Sequence, residues 1–103
     1  MAYRVVETES AGEDIDAILG YIIKEFDNLS AASDFADEID DKYEKLEANP
    51  YMYEESRDAR LRKQGYRRIP IKNYVMLYLV DEARKEVNIA RVFYGKQDYA
   101  NLI

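Results

Sequence analysis

The chain contains neither cysteine nor histidine among its 103 residues. The lack of cysteine excludes disulfides, thiolate metal sites and a cysteine nucleophile. The lack of histidine removes the most frequent general base, the most frequent metal ligand and the usual pH switch near neutrality. Any catalysis would therefore depend on Tyr, Lys, Arg, Asp or Glu side chains, and we expect no metal and no cofactor.

Long apolar runs are missing as well. No stretch approaches the ~18 apolar residues of a membrane span, and the N-terminus lacks the basic and apolar regions of a signal peptide. We therefore expect a cytoplasmic protein that does not contact a membrane. The length, together with an apolar content of 48%, predicts a single domain over residues 1–103 with enough apolar material for a core.

Charge is distributed unevenly along the chain. Residues 1–56 carry 4 Lys/Arg against 16 Asp/Glu, a charge of −12, whereas residues 57–96 carry 11 against 4, a charge of +7. The net charge of −6 therefore conceals a basic C-terminal half. Because the local field attracts a polyanion or an acidic peptide, this half is the favoured place for a binding face.

Two apolar stripes at helical spacing predict an αα-hairpin. The first comprises Ile15, Ile18, Leu19, Ile22, Ile23 and Phe26, and the second comprises Ala32, Phe35, Ala36, Ile39, Tyr43 and Leu46. Ser10 and Glu13 fit a capping box at the start of the first helix. Asn28 or Ser30 is placed to cap the second helix, which should end before Pro50. The short break between the stripes makes the two helices antiparallel neighbours.

Runs of β-branched and aromatic residues predict four strands, at residues 3–8, 66–71, 74–80 and 86–94. Residues 50–64 lack a clean period and are interpreted as a loop with at most one helical turn. Lys72 and Asn73 predict a tight hairpin in which Asn73 takes the positive φ. The predicted fold class is α+β, a two-layer domain with an N-terminal strand, an αα-hairpin and a three-stranded antiparallel meander. The helices cover one sheet face, and the other is expected to be open to water or a partner.

Basic and tyrosine side chains of the predicted strands form the candidate site. The two adjacent arginines of the second strand point to opposite faces. Arg91 is predicted to share a side with Val87, Ile89 and Phe93, so its charge needs either a ligand or a helix carboxylate. The whole set, in which Lys and Arg alternate with Tyr as suits phosphates and stacked bases, is Arg67, Arg68, Lys72, Arg91, Tyr94, Lys96 and Tyr99.

Six short segments in a fixed order carry a family resemblance: AGEDIDAILGYI, LEANP, GYRR, NYVMLYLVD, VNIARV and YGKQD. They span most of residues 3–102 and resemble the RelE/ParE superfamily, the toxins of type II toxin–antitoxin modules. The resemblance implies the same helical hairpin packed on an antiparallel sheet. It also implies a cognate antitoxin with an acidic or amphipathic tail as partner, in a toxin–antitoxin hetero-oligomer. The tail is expected along the open sheet face, the basic rim or a groove beside the helices.

The members of this superfamily differ in target. RelE-like toxins are metal-independent endoribonucleases that cut ribosome-bound mRNA with Lys, Arg and Tyr side chains, whereas ParE-like toxins inhibit DNA gyrase. The long helices are similar to the ParE branch, and this chain has Val75 and Gln97 where the RelE pattern has Arg. The resemblance therefore favours gyrase inhibition. Cleavage of mRNA is the alternative, and a non-toxic binding module of the same fold is a second alternative.

Overall fold

The computed structural model describes residues 2–103, and its elements follow the predicted order. They are β1 (Arg4–Glu7), α1 (Glu9–Phe26), α2 (Leu29–Ala48), α3 (Ala59–Lys63), β2 (Arg67–Ile71), β3 (Tyr74–Asp81), β4 (Glu86–Tyr94) and a C-terminal 3-10 turn (Tyr99–Leu102). The sequence predicts at most one helical turn within residues 50–64, and the structure has one there, α3. Within residues 2–103, neither long helix has the apolar length that crossing a bilayer requires.

The four strands form one sheet in the order β1-β4-β3-β2. β2, β3 and β4 make the predicted antiparallel meander. β1 lies parallel to β4, from Arg4 opposite Glu86 to Glu7 opposite Ile89. The N-terminal strand therefore covers only the first half of β4, and among residues 2–103 no strand lies beside the second half on that edge.

Thr8 begins α1. Its hydroxyl oxygen accepts the Ala11 amide at 3.1 Å and donates to the Ile89 carbonyl at 2.9 Å, so one side chain caps the helix and fastens it to the sheet. The capping box predicted at Ser10 is wrong, because Ser10 already lies inside the helix. The cap predicted for α2 is confirmed at Asn28, whose side-chain oxygen accepts a first-turn amide.

The main core lies between the helices and one sheet face. Its buried side chains include Ile15, Ile18, Phe35, Ile39, Leu46, Met76, Tyr78, Val87 and Ile89. Tyr78 donates its hydroxyl to the Pro50 carbonyl at 2.7 Å, so this buried polar group is satisfied. The first apolar stripe does not reach the core along its whole length, because Ile23 is 39% exposed and Phe26 is 64% exposed at the end of α1.

The second sheet face is also covered, and the expectation of an open face is wrong. Leu61 of α3 packs with Val75, Leu77 and Phe93 in a separate buried cluster. The C-terminal residues Tyr99, Ala100 and Ile103 pack against the same cluster. Both faces are covered because β3 is apolar at nearly every position, so its side chains on either face of the sheet need to be buried.

The β2–β3 turn differs in detail from its prediction. Lys72 takes the positive φ, at 54°, and the assignment of that conformation to Asn73 is wrong. Lys85 takes the same φ of 54° in the β3–β4 turn at the opposite end of β3. Two lysines thus occupy left-handed positions, where a β-carbon is disfavoured.

Candidate interaction site

A β-bulge in β4 determines where Arg91 points. The pairing of β4 with β3 skips Ala90, which reverses the alternation of the residues that follow. Val87 and Ile89 therefore face the helices, whereas Phe93 belongs to the second face and Arg91 lies over its ring, 4.5 Å from the centre. The prediction that Arg91 shares a side with Val87 and Ile89 is wrong, because simple alternation does not include a bulge.

Arg91 binds a helix carboxylate, which was one of the two alternatives for its charge. Its Nε and one terminal nitrogen donate to Asp14 of α1 at 2.7 and 3.1 Å. The same carboxylate accepts the Val92 amide at 2.9 Å. Hydrogen bonding to Asp14 raises the pKa of Arg91 above its usual range. Asp14 therefore occupies the edge of β4 just beyond the point where β1 stops.

A groove of about 900 Å³ lies between α1 and the second half of β4, and we call it the α1–β4 groove. Its surface is mainly apolar. The helical side includes Ala17, Tyr21, Ile22 and Phe26, while the sheet side includes Tyr74, Arg91, Val92, Phe93 and Tyr94. Lys72 and Asn73 lie at the end formed by the β2–β3 turn. Burial of Tyr74 in the groove wall raises the pKa of its hydroxyl.

A smaller cleft of about 340 Å³ lies at the end of the β2–β3 hairpin, and we call it the hairpin cleft. It is lined by Arg68, Pro70, Lys72, Asn73, Tyr74, Val75, Tyr94, Gly95 and Lys96. The cleft therefore brings together four of the seven candidate residues.

Of the three candidate cations in the cleft, Arg68 forms a salt bridge with a carboxylate. One terminal nitrogen donates to Glu54 at 2.7 Å, which holds the pKa of Glu54 below its usual range. Within residues 2–103, Lys72 and Lys96 form no ion pair. The cleft thus contains one compensated cation and two uncompensated ones.

The other candidates lie outside the hairpin cleft. Arg67 is at the opposite end of β2, where it donates to the Tyr53 carbonyl at 2.7 Å and lies 5.2 Å from the centre of the Tyr51 ring. Tyr99 stacks on Phe93 with ring centres 5.5 Å apart. Arg91 belongs to the α1–β4 groove. The seven residues therefore do not form one cluster.

Glu82 organises a polar cluster at the far end of the sheet. Its carboxylate accepts from Lys85, from the Tyr51 hydroxyl and from the Tyr3 hydroxyl, the last at 2.9 Å. These donors, the lysine first, lower the pKa of Glu82 to about 2. The hydrogen bond to Glu82 in turn raises the pKa of Tyr51 to about 12. This cluster joins the N-terminus, the loop after α2 and the β3–β4 turn.

The sequence prediction missed the role of Asp14. A signal was present, because Asp14 precedes Ile18 by four residues and so adjoins the apolar stripe that faces the sheet. A carboxylate beside a buried stripe is expected to have a partner, and β4 carries an arginine that needs one.

Comparison with known proteins places this architecture in the RelE/ParE superfamily of toxins. The family model for the ParE toxin of the type II toxin–antitoxin system, parDE, matches residues 5–99, so the chain belongs to the ParE toxin family. A search of curated protein sequences found no match.

Two solved structures share the fold. The chromosomal ParDE toxin–antitoxin system of P. aeruginosa contains a chain that is 20% identical, with 90% of this chain and 96% of that chain aligned at a TM-score of 0.70. The RelBE2 toxin–antitoxin complex of Mycobacterium tuberculosis contains one that is 23% identical, with 91% and 99% aligned at a TM-score of 0.59. At these identities the likeness shows the fold, which both branches of the superfamily share.

Proposed function

We propose that this ParE-family toxin inhibits DNA gyrase when it is free and is neutralised by an antitoxin whose tail occupies the α1–β4 groove. The observation that carries the proposal is the groove itself, a mainly apolar depression of about 900 Å³ with exposed aromatic side chains at its border. The toxin would act in the cytoplasm, in a hetero-oligomer with its antitoxin until the antitoxin is lost.

The groove suits an amphipathic peptide segment. Tyr21 and Phe26 pack edge-to-face, with ring centres 6.0 Å apart, yet each exposes more than half of its surface. Exposed aromatic residues beside an apolar depression are typical of sites that take apolar anchors of a partner. Since the second sheet face is covered by α3 and the C-terminal turn, the groove is favoured over that face for the tail.

The polar ends of the groove indicate the charge of the tail. Lys72 lies at the end formed by the hairpin, while Arg91 is already neutralised by Asp14. An acidic residue of the tail would therefore bind most favourably beside Lys72. Charges at such a rim act mainly on the rate of association, so the binding rate should fall as salt is raised.

The arrangement of cations favours gyrase over mRNA as the target. Metal-free RNA cleavage needs cations at the phosphate and groups that move protons. Arg91 is held by Asp14, Arg68 is held by Glu54, and Val75 is buried where the nuclease pattern has Arg. Loss of one such stabilising donor typically costs ~10²–10³ in rate. Inhibition of gyrase requires a binding surface and no proton transfer.

Two assays on the purified toxin without antitoxin test the target. We expect inhibition of gyrase supercoiling and no cleavage of ribosome-bound mRNA in a translation extract. Codon-phased cuts mapped by primer extension, abolished by Lys96→Ala, would instead identify a nuclease. A folded toxin that is inert in both assays and in induced expression would be a binding module.

A further inference from the structure

We infer that the free toxin forms a two-fold symmetric homodimer in which the α1–β4 grooves of two copies face each other. The occupant of the groove is then a second copy of this chain, until an antitoxin displaces it. Formation of the dimer depends on the toxin alone, whereas its competition with the antitoxin rests on the proposed function.

The groove leaves large apolar side chains uncovered when the toxin is alone. Tyr21, Phe26 and Leu102 all line it, and each exposes more than half of its surface. Leu29, the first residue of α2, is also exposed and follows Phe26 after a break of two residues. Adjoining exposed apolar side chains of this size are typical of a surface that binds a partner. Association of two copies would cover these side chains on both copies at once.

The charges that line the groove balance. Among residues 2–103 they are two acids and two cations, Asp14, Asp34, Lys72 and Arg91. The chain as a whole carries −6, so most of its surface repels a second copy. The groove is therefore a place where two copies can meet without net repulsion between the facing surfaces.

Two of these four charges complement each other only between copies. Asp14 and Arg91 already form an ion pair, whereas among residues 2–103 neither Asp34 nor Lys72 forms one. Both of these side chains are exposed. A two-fold interface brings each residue of a contacting pair to the other residue on the second copy. One free carboxylate and one free ammonium can thus form two equal ion pairs across such an interface.

Asp34 and Lys72 lie at the same end of the groove. Phe35 packs edge-to-face on Tyr74, with ring centres 5.4 Å apart, which joins the start of α2 to the β2–β3 turn. Asp34 directly precedes Phe35, and Lys72 lies two residues before Tyr74. A two-fold axis near this end exchanges the two charges, so that Asp34 of each copy pairs with Lys72 of the other.

Sedimentation equilibrium of the purified toxin without antitoxin tests the dimer. We expect the mass to rise from one chain to two chains as the protein concentration is raised. Ala17→Trp fills the groove from an exposed position on α1, so it should keep the mass of one chain under the same conditions. A parent that keeps the mass of one chain at the highest concentration would overturn the inference. A dimer of Ala17→Trp as stable as that of the parent would also overturn it.

Charge reversal locates the contact. Asp34→Lys places two cations at this end of the groove, and Lys72→Asp places two carboxylates there. Aspartate is among the residues that tolerate the positive φ of 54° at position 72. For each variant alone we expect the dissociation constant of the dimer to rise at least about tenfold, because like charges face each other twice. An equimolar mixture of the two variants should dimerise as the parent does, because the mixed dimer restores both ion pairs.

Two matched variants control for net charge. Glu44→Lys changes an exposed residue of α2 outside the groove, and Lys85→Asp changes a lysine with the same φ of 54° at the opposite end of β3. Each control should dimerise as the parent does. Equal weakening by the controls would reduce the effect to net charge and overturn the inference. A mixture of Asp34→Lys and Lys72→Asp that stays monomeric, while circular dichroism shows both to be folded, would overturn it as well.

A synthetic peptide with the sequence of the antitoxin tail, taken from the adjoining reading frame, separates the dimer from the proposed function. We expect the peptide to convert the dimer into complexes of one toxin chain with one peptide. A dimer that persists with the peptide bound means that the two contacts do not share the groove. Dimerisation of Ala17→Trp would then overturn the groove dimer, whereas a monomeric Ala17→Trp that still binds the peptide would overturn the groove as the site of the tail.

Discussion

Asp14 and Arg91 form a two-point ion pair, with donor–acceptor distances of 2.7 and 3.1 Å, that joins α1 to the bulged half of β4. Asp14 also accepts the Val92 amide at 2.9 Å, the bond that a neighbouring strand would otherwise supply. The Asp14 carboxylate therefore pairs with the backbone edge of β4 at the point where β1 ends. It also lines the α1–β4 groove.

Removing this carboxylate should destabilise the fold. Asp14→Ala leaves the Arg91 guanidinium and the Val92 amide without their partner, and we expect a loss of about 1–3 kcal/mol in the free energy of unfolding. Asp14→Asn should lose less, because an amide oxygen still accepts. Urea denaturation measures both, with Asp16→Ala on the exposed side of α1 as the control. Equal losses for Asp14→Ala and Asp16→Ala would contradict a structural role for the pair.

The helices, strands and family were predictable from the sequence because they depend on periodicity, on caps and on the order of several segments. Asn28 shows this well, since a short polar break between two apolar stripes leaves few positions for a cap. Thr8 was not predictable in the same way. The strand pattern of residues 3–8 includes Thr8, whereas its position at the start of α1 is fixed by a hydrogen bond to the Ile89 carbonyl of β4, which is distant in sequence.

The candidate site was predicted less well, for two physical reasons. A bulge at Ala90 reverses the sheet face to which each later residue of β4 points, and no residue type nearby in the sequence indicates the bulge. The covering of the second sheet face by Tyr99 and its neighbours depends on packing between chain segments far apart in sequence. The candidate residues do include four that line the hairpin cleft, because basic and tyrosine residues are visible in the sequence; they are Arg68, Lys72, Tyr94 and Lys96.

The buried and exposed isoleucines of the hairpin provide a direct measure of the core. Ile39 of α2 is buried, whereas Ile23 of α1 is 39% exposed. We expect Ile39→Ala to lower the free energy of unfolding by about 2–5 kcal/mol and Ile23→Ala to change it by about 0.5 kcal/mol or less. Chemical denaturation under the same conditions compares the two. A shift well under 1 kcal/mol for Ile39→Ala would place α2 outside the core.

The Glu82 cluster predicts a specific dependence on acid. Folding lowers the pKa of Glu82 from 4.5 to about 2, so its contribution to stability is full above pH 4.5 and is lost as the pH falls through about 2. Glu82→Gln stays uncharged throughout, so its stability should fall less than that of the parent over this window. Urea midpoints measured between pH 5 and pH 2 test this. Glu44→Gln, on the exposed face of α2, is the control and should give a curve parallel to that of the parent. A parallel curve for Glu82→Gln as well would exclude an interaction of Glu82 in the folded state.

The α1–β4 groove can be blocked by substituting a residue that belongs neither to the core nor to the hairpin cleft. Ala17 lines the groove from an exposed position on α1, so Ala17→Trp should fill the space where the antitoxin tail is proposed to bind while the toxin still folds. We expect affinity for the antitoxin, tested as the product of the adjoining reading frame, to fall by about 2 kcal/mol or more, roughly 30-fold in Kd. Growth arrest on induced expression should persist, and co-expression of the antitoxin should no longer relieve it. Ala83→Trp, in the turn at the opposite end of the sheet, adds the same side chain away from the groove and should be neutralised normally. Full neutralisation of Ala17→Trp, with affinity equal to that of Ala83→Trp, would place the antitoxin tail elsewhere on the molecule.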